Sequence, residues 1–144
     1  MNDPVRILLV EDNLADVYLF RKALVAASLN FELTVLEDGG SAMAFVRGSG
    51  QYAGCSVPDL AVIDLSLPKS DGIQVLEAIR ASARFAGMLV VVASSEASPP
   101  ALAKQEHLQV ACYITKPPDL DSFLEIGRAL KDILLQSRAQ HPRQ

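Results

Sequence analysis

A run of four apolar residues that ends in one acid says more about the fold than any other stretch of the chain. It lies within residues 60–72, LAVIDLSLPKSDG. The run Leu60–Ile63 is too short for a helix and contains β-branched side chains, so it predicts a strand buried on both faces. Asp64 ends this strand, where a carboxylate is costly unless another group pairs with it. Pro68 and Gly72 then predict a loop and a turn, which leaves the acid at the open end of the strand.

Apolar runs and amphipathic segments alternate along the rest of the chain. Further strands are predicted at Val5–Val10, Glu32–Leu36, Met88–Ala93 and Val110–Ile114. Helices are predicted at about residues 14–27, 42–46, 73–80, 99–108 and 120–136. Buried strands that alternate with amphipathic helices form a parallel sheet with helices on both faces, so the pattern predicts a doubly wound α/β domain.

Polar side chains follow four of the five predicted strands. Glu11 and Asp12 follow the first strand, Asp64 the third, Ser94 the fourth and Lys116 the fifth. Ligands of such sheets bind outside the carboxyl ends of the strands, near the point where the strand order reverses. We therefore expect these five side chains to meet at one edge of the sheet.

This set of side chains is suited to the chemistry of a phosphoryl group. Three neighbouring carboxylates repel one another, and a hard divalent cation such as Mg²⁺ removes that repulsion. A lysine can contact a phosphate oxygen, and a hydroxyl adds a neutral donor. An acid beside them can act as the nucleophile and form an aspartyl-phosphate.

At this point the chain resembles a known family. The pattern Glu11–Asp12, Asp64, Ser94 and Lys116–Pro117 is similar to the receiver domain of two-component response regulators, over about residues 5–135. The resemblance implies a flavodoxin-like (βα)5 fold with the strand order 2-1-3-4-5. The loop after the central strand and the Gly/Ser loop before it are most similar to small stand-alone regulators that are paired with bacterial phytochromes.

The resemblance implies a role for each acid. Asp64 would be the phosphoacceptor and would take its phosphoryl group from a phosphohistidine of a sensor histidine kinase. Glu11, Asp12 and Asp64 would hold Mg²⁺, together with the main-chain carbonyl of Ser66. The chain would then be a signalling domain, whose only chemistry is Mg²⁺-dependent self-phosphorylation and self-dephosphorylation.

The resemblance also implies roles at the ends of the last two strands. Ser94 and Lys116 would contact the phosphoryl group, and Ser94 and Tyr113 would form a switch that responds to it. The family more often has threonine at the position of Ser94. Ser95 competes for this role, but the alternation of side chains along a strand favours Ser94. The bond before Pro117 would be a cis peptide.

Three other classes of protein share parts of this pattern. A haloacid-dehalogenase-like phosphohydrolase has a second acid two residues after its nucleophile, where this chain has Ser66. A flavodoxin-like module binds a flavin phosphate after the first strand, where Glu11 and Asp12 would repel it. A receiver-fold module that binds proteins without being phosphorylated would not need the complete set of site residues.

The composition of the chain limits the possible classes of protein further. The chain has 144 residues, 50% of them hydrophobic, and a net charge of −4, which predicts one globular domain and gives no support for a basic nucleic-acid surface. We expect the receiver domain at residues 4–137 and a polar tail at 138–144. Neither a signal peptide nor a membrane-spanning run is seen, and Cys55 and Cys112 lack the spacing of a metal or redox site, so a cytoplasmic protein is expected.

The output is predicted to be a protein contact. Too few residues follow the last helix to form an effector domain, and no second domain is expected before the first strand. Ile126 and Ile133 give the last helix more apolar surface than one sheet face needs. This surplus predicts a homodimer through the last two helices, or docking on a partner. The alternative that both isoleucines complete the core stays open.

Overall fold

Five parallel strands form a single sheet in the order β2-β1-β3-β4-β5. The computed structural model describes residues 3–67, 71–95 and 106–140. The strands are β1 Val5–Val10, β2 Phe31–Leu36, β3 Leu60–Asp64, β4 Leu89–Ser94 and β5 Cys112–Thr115. The order and the parallel pairing confirm the predicted flavodoxin-like (βα)5 sheet.

The described residues include α-helices on both faces of this sheet. They are α1 Leu14–Ala26, α2 Gly39–Arg47, α3 Asp71–Ala81 and α4 Leu120–Gln140. The helix predicted at residues 99–108 lies mostly outside the described residues, and only its last part is seen, as a 3₁₀ turn at Glu106–Leu108. None of the described helices is long and apolar enough to cross a bilayer.

Helix α4 continues past position 138, where a polar tail was predicted to begin. The segment Gln136–Gln140 contains arginine, alanine and two glutamines, which are strong helix formers, and the next proline is Pro142. Polarity indicated a tail here, but polar side chains on the outer face of a helix do not end it.

Two apolar layers cover the sheet, one on each face. Helices α2 and α3 pack on one face, around Phe45 and Leu76. Helices α1 and α4 pack on the other face, where the rings of Phe20 and Phe123 meet edge to face at 5.0 Å. Every residue of β3 is buried, as predicted for a central strand with both faces covered.

The prediction that Ile126 and Ile133 form a surplus apolar face is wrong for Ile126. Ile126 is 7% exposed and belongs to the core between α4 and the sheet. Ile133 is half-buried against the same core. The long helix α4 crosses both the sheet and α1, so its core stripe is broader than a helix packed on one sheet face requires.

Arg80 joins the end of α3 to the segments that precede β4 and β5. Its guanidinium donates hydrogen bonds to main-chain carbonyls of Leu108 at 2.6 Å, Met88 at 3.0 Å and Gln109 at 3.1 Å. A planar fork of donors can reach several carbonyls at once, which a single ammonium nitrogen cannot.

We expect Arg80→Lys to lower the free energy of unfolding by about 2 kcal/mol, because partly buried carbonyls lose charged donors. Urea unfolding followed by circular dichroism measures this change. Arg128→Lys, on the exposed side of α4, is the matched control and should stay within about 0.5 kcal/mol of wild type. Equal stability of the two variants would contradict the role of Arg80.

Candidate metal and phosphoacceptor site

The ends of β1 and β3 bring three carboxylates together. Glu11, Asp12 and Asp64 each place one oxygen within 4.8 Å of the others. This follows from the sheet order, because β1 and β3 are neighbours and pair in register up to Val10 and Ile63. Glu11 and Asp64 are buried, whereas Asp12 is exposed. The three acids therefore form a cluster with one side open to solvent.

Hydrogen bonds fix both oxygens of Asp64. The main-chain N–H of Ser66 donates to Oδ1 at 2.8 Å, and Lys116 Nζ donates to Oδ2 at 3.0 Å. Helix α3 begins directly behind this residue: a Cβ at Gly72 would lie 2.6 Å from the main-chain oxygen of Asp64. Glycine is therefore needed for the close approach of α3 to the end of β3.

Lys116 extends from the end of β5 into the acidic cluster. Its N–H donates to the main-chain oxygen of Ser94 at 2.8 Å, which continues the pairing of β4 with β5. Its Nζ donates to Glu11 at 2.7 Å, to Asp16 at 2.8 Å and to Asp64 at 3.0 Å. The lysine side chain is only 8% exposed, so these ion pairs are largely shielded from water.

Asp16 belongs to this site, although the sequence did not assign it there. It lies in the first turn of α1, where an acid is favoured by the helix dipole whatever else it does. Its spacing of four residues from Asp12 was the one available signal, since both then lie near the same end of α1. That signal is weak without knowledge of where Lys116 reaches.

Asn13 positions the acids on both sides of it. Its Oδ1 accepts hydrogen bonds from the N–H groups of Ala15 at 2.9 Å and Asp16 at 3.3 Å, as expected for a helix N-cap. Its own N–H donates to Glu11 Oε2 at 3.2 Å. Asn13 thus caps α1 and also orients a carboxylate of the site.

Burial disfavours the charged forms of the Glu11 and Asp64 carboxyl groups. Burial and a hydrogen bond with Asp64 raise the pKa of Glu11 to about 8, although Lys116 acts in the opposite direction. Burial also acts to raise the pKa of Asp64, but hydrogen bonds with Glu11, the N–H of Ser66 and Lys116 outweigh it and lower that pKa. Crowded oxygen ligands with excess negative charge are what a hard divalent cation requires, so the residues present fit such an ion.

The other two predicted site residues lie on β4 and β5. Ser94 is a buried residue at the end of β4, one position beyond the partner of Asp64 in the sheet. Ser95 is exposed, and its hydroxyl lies 3.3 Å from that of Ser66. Tyr113 is 40% exposed on β5. The structure thus places Ser94 at the same edge as the acids and Tyr113 on an outer strand, while their switch role stays a prediction.

The predicted cis peptide before Pro117 is wrong for this structure. None of the described peptide bonds is cis, and the Lys116–Pro117 bond lies among them. The trans form of an X–Pro bond is favoured by about 0.5–1 kcal/mol. With this trans bond Lys116 already reaches three carboxylates, so these contacts do not require the cis form.

The fold and the site together define a class of protein. A doubly wound parallel sheet carries a buried acid at the end of its central strand, with two acids and a lysine beside it. This is the arrangement of an aspartate-based signalling domain that binds a divalent metal.

Comparisons with known proteins give the family. Residues 7–127 match the response regulator receiver domain. Response regulator Rcp1 of Synechocystis is 34% identical over 94% of this chain and 92% of its own length. The structure of the phosphorylated cyanobacterial phytochrome response regulator RcpA is 37% identical, covers 92% of this chain and 95% of that chain, and has a TM-score of 0.82. The chain belongs to the response regulator receiver domain family.

Two further structures are similar to this chain. The Mn²⁺-bound form of Rcp1 is 34% identical over 90% of this chain and 93% of that chain, with a TM-score of 0.78. The bacteriophytochrome response regulator AtBRR is 31% identical over 90% of this chain and 92% of that chain, with a TM-score of 0.72. These matches support a two-component signalling protein and give no support to a phosphohydrolase.

Proposed function

We propose that Asp64 is the phosphoacceptor of this response regulator. An oxygen of Asp64 forms a bond to phosphorus while the bond between phosphorus and the imidazole nitrogen of a phosphohistidine breaks. The electron pair of that bond returns to the imidazole. The observation that carries this assignment is the position of Asp64, buried at the end of β3 with one oxygen on the N–H of Ser66 and the other on Lys116.

The proposed metal is Mg²⁺, held by Glu11, Asp12, Asp64 and the main-chain carbonyl of Ser66. When bound, it would supply positive charge against the oxygens of the transferred group. The carboxylate cluster and the exposure of Asp12 support an ion that enters from solvent. The same residues would support Mg²⁺-dependent self-phosphorylation by small phosphodonors and the later hydrolysis.

Lys116 and Ser94 are the proposed contacts of the phosphoryl oxygens. Lys116 can turn one of its protons from Asp64 to a phosphoryl oxygen with little movement, because it already lies 3.0 Å from that carboxylate. A move of the Ser94 hydroxyl toward the new acceptors would leave space for Tyr113 to turn inward. The partial exposure of Tyr113 supports a side chain that can adopt both an outward and an inward position.

The proposed phosphodonor is a sensor histidine kinase of the phytochrome type, and this chain is proposed to act in the cytoplasm. Relatives named as phytochrome response regulators support this partner. The proposed output is a protein contact, through a homodimer at β5 and the helices predicted on either side of it, at residues 99–108 and 120–136, the first of which lies mostly outside the described residues. Three large apolar side chains are exposed on β5 and α4 and support an apolar contact there, namely Tyr113, Leu120 and Leu135.

The test of this function is phosphorylation of the Asp64→Asn variant. The wild-type chain should gain one base-labile phosphoryl group from a small phosphodonor with Mg²⁺, and from a phosphorylated histidine kinase. Asp64→Asn should gain none, because an amide oxygen is a poor nucleophile. Asp132→Asn, an exposed acid on α4, is the control and should behave as wild type. Intact-protein mass spectrometry reads the result, and incorporation by Asp64→Asn at the wild-type rate would refute the assignment.

A further inference from the structure

Lys116 is paired with one acid that lies outside the carboxylate cluster. Its Nζ donates to Glu11 Oε1 at 2.7 Å, Asp16 Oδ2 at 2.8 Å and Asp64 Oδ2 at 3.0 Å. An ammonium group has three protons, so these acceptors use its whole donor capacity. Glu11 and Asp64 belong to the candidate metal cluster, whereas Asp16 does not. Asp16 is therefore the one partner of Lys116 that the metal and the phosphoryl group leave unchanged.

The start of α1 gives Asp16 a fixed place. Its N–H donates to the side chain of Asn13, and its carboxylate lies in the first turn, where the helix dipole stabilises negative charge. The side chain of Asp16 is 21% exposed, compared with 8% for Lys116. Asp16 is also the most exposed of the three acids that contact Lys116, since Glu11 and Asp64 are 0% and 2% exposed.

A lysine side chain without such a partner has many conformations available. Fixing its four-carbon stem in one position costs conformational entropy. Once Asp64 is engaged with a phosphoryl group, that cost must be met by other contacts of Lys116. The ion pair with Asp16 meets it both before and after transfer, because it involves no reacting atom.

We propose that Asp16 is a positioning residue that holds the Lys116 ammonium beside Asp64 throughout phosphorylation. This inference rests on the proposed function, in which Lys116 contacts the phosphoryl oxygens. Asp16 acts through Lys116 and touches neither the metal nor the phosphoryl group.

The first test is the rate of phosphorylation by a small phosphodonor with saturating Mg²⁺. Asp16→Ala should lower this rate about tenfold or more, because the ammonium is no longer held in place. Asp16→Asn keeps an oxygen acceptor for Lys116 and should recover the rate to within about threefold of wild type. Asp121→Ala, which removes the first-turn acid of α4, is the matched control and should leave the rate unchanged.

The second test separates positioning from metal binding and from folding. Calorimetric titration should give Asp16→Ala a Mg²⁺ affinity within about threefold of wild type, whereas Asp12→Ala should bind much more weakly. In a Lys116→Met background, Asp16→Ala should hardly change the free energy of unfolding, because the partner of Asp16 is already absent. Circular dichroism establishes that each variant is folded before rates are compared.

Three results would overturn the proposal. These are a wild-type rate for Asp16→Ala, a rate for Asp16→Asn as low as that for Asp16→Ala, and a loss of Mg²⁺ affinity in Asp16→Ala as large as in Asp12→Ala. A wild-type chain that takes up no phosphoryl group would instead refute the proposed function, so the two failures are distinguishable.

Discussion

Lys116→Met is expected to lower the free energy of unfolding in metal-free buffer by about 3 kcal/mol, since it leaves buried carboxylates without their counter-ion. Glu11 and Asp64 are buried, and Lys116 forms ion pairs with both of them and with Asp16. Methionine fills a similar volume, so the loss reports charge and hydrogen bonding more than packing.

Added Mg²⁺ should then stabilise Lys116→Met more than it stabilises wild type. A cation in the carboxylate cluster replaces part of the missing positive charge, and a ligand that binds only the folded state stabilises it by an amount that rises with the logarithm of its affinity. Urea unfolding with and without Mg²⁺ measures both effects. Lys22→Met, an exposed lysine over the ring of Tyr18, is the control and should change stability by less than about 1 kcal/mol. A metal-free Lys116→Met protein as stable as wild type would contradict this account.

Most of the fold could be predicted because the three central strands of this chain, β1, β3 and β4, are short and largely buried. Leu60–Ile63 and Val5–Val10 are unambiguous runs, and a parallel sheet places whatever follows its strands at one edge. That one rule was enough to place Glu11, Asp12, Asp64 and Lys116 together. These four candidate side chains were found from strand ends alone, without any knowledge of helix packing.

The features that were missed depend on geometry that spacing does not contain. Asp16 is a site residue only because Lys116 extends back across the sheet edge to α1. This contact joins two residues that are far apart in sequence. Ile126 was taken for surface because one helix face seemed enough for the sheet, but α4 also packs against α1. The isomer of the Lys116–Pro117 bond is decided by a small free-energy difference, which residue identity alone does not settle.

Gly127→Ala is expected to destabilise the fold by about 3 kcal/mol, at the upper end of what added core volume usually costs. A Cβ at Gly127 would overlap the main-chain carbonyl group of Ala23 in α1. Neither group can turn aside, because both belong to helix backbones. The only relief is a wider separation of α1 from α4, which loosens the edge contact of Phe20 with Phe123 and the hydrogen bond from Lys131 Nζ to the carbonyl of Ala27.

The same separation should disturb the candidate site, because α1 carries Asp16 at its other end. We therefore expect Gly127→Ala to show lower stability in urea unfolding and slower phosphorylation under conditions where it is still folded. Gly87→Ala is the matched control: a Cβ there meets no atom within 4 Å, and its stability should stay within about 0.5 kcal/mol of wild type. If Gly127→Ala were as stable as Gly87→Ala, the close crossing of α1 and α4 would not be the contact that holds this face of the sheet.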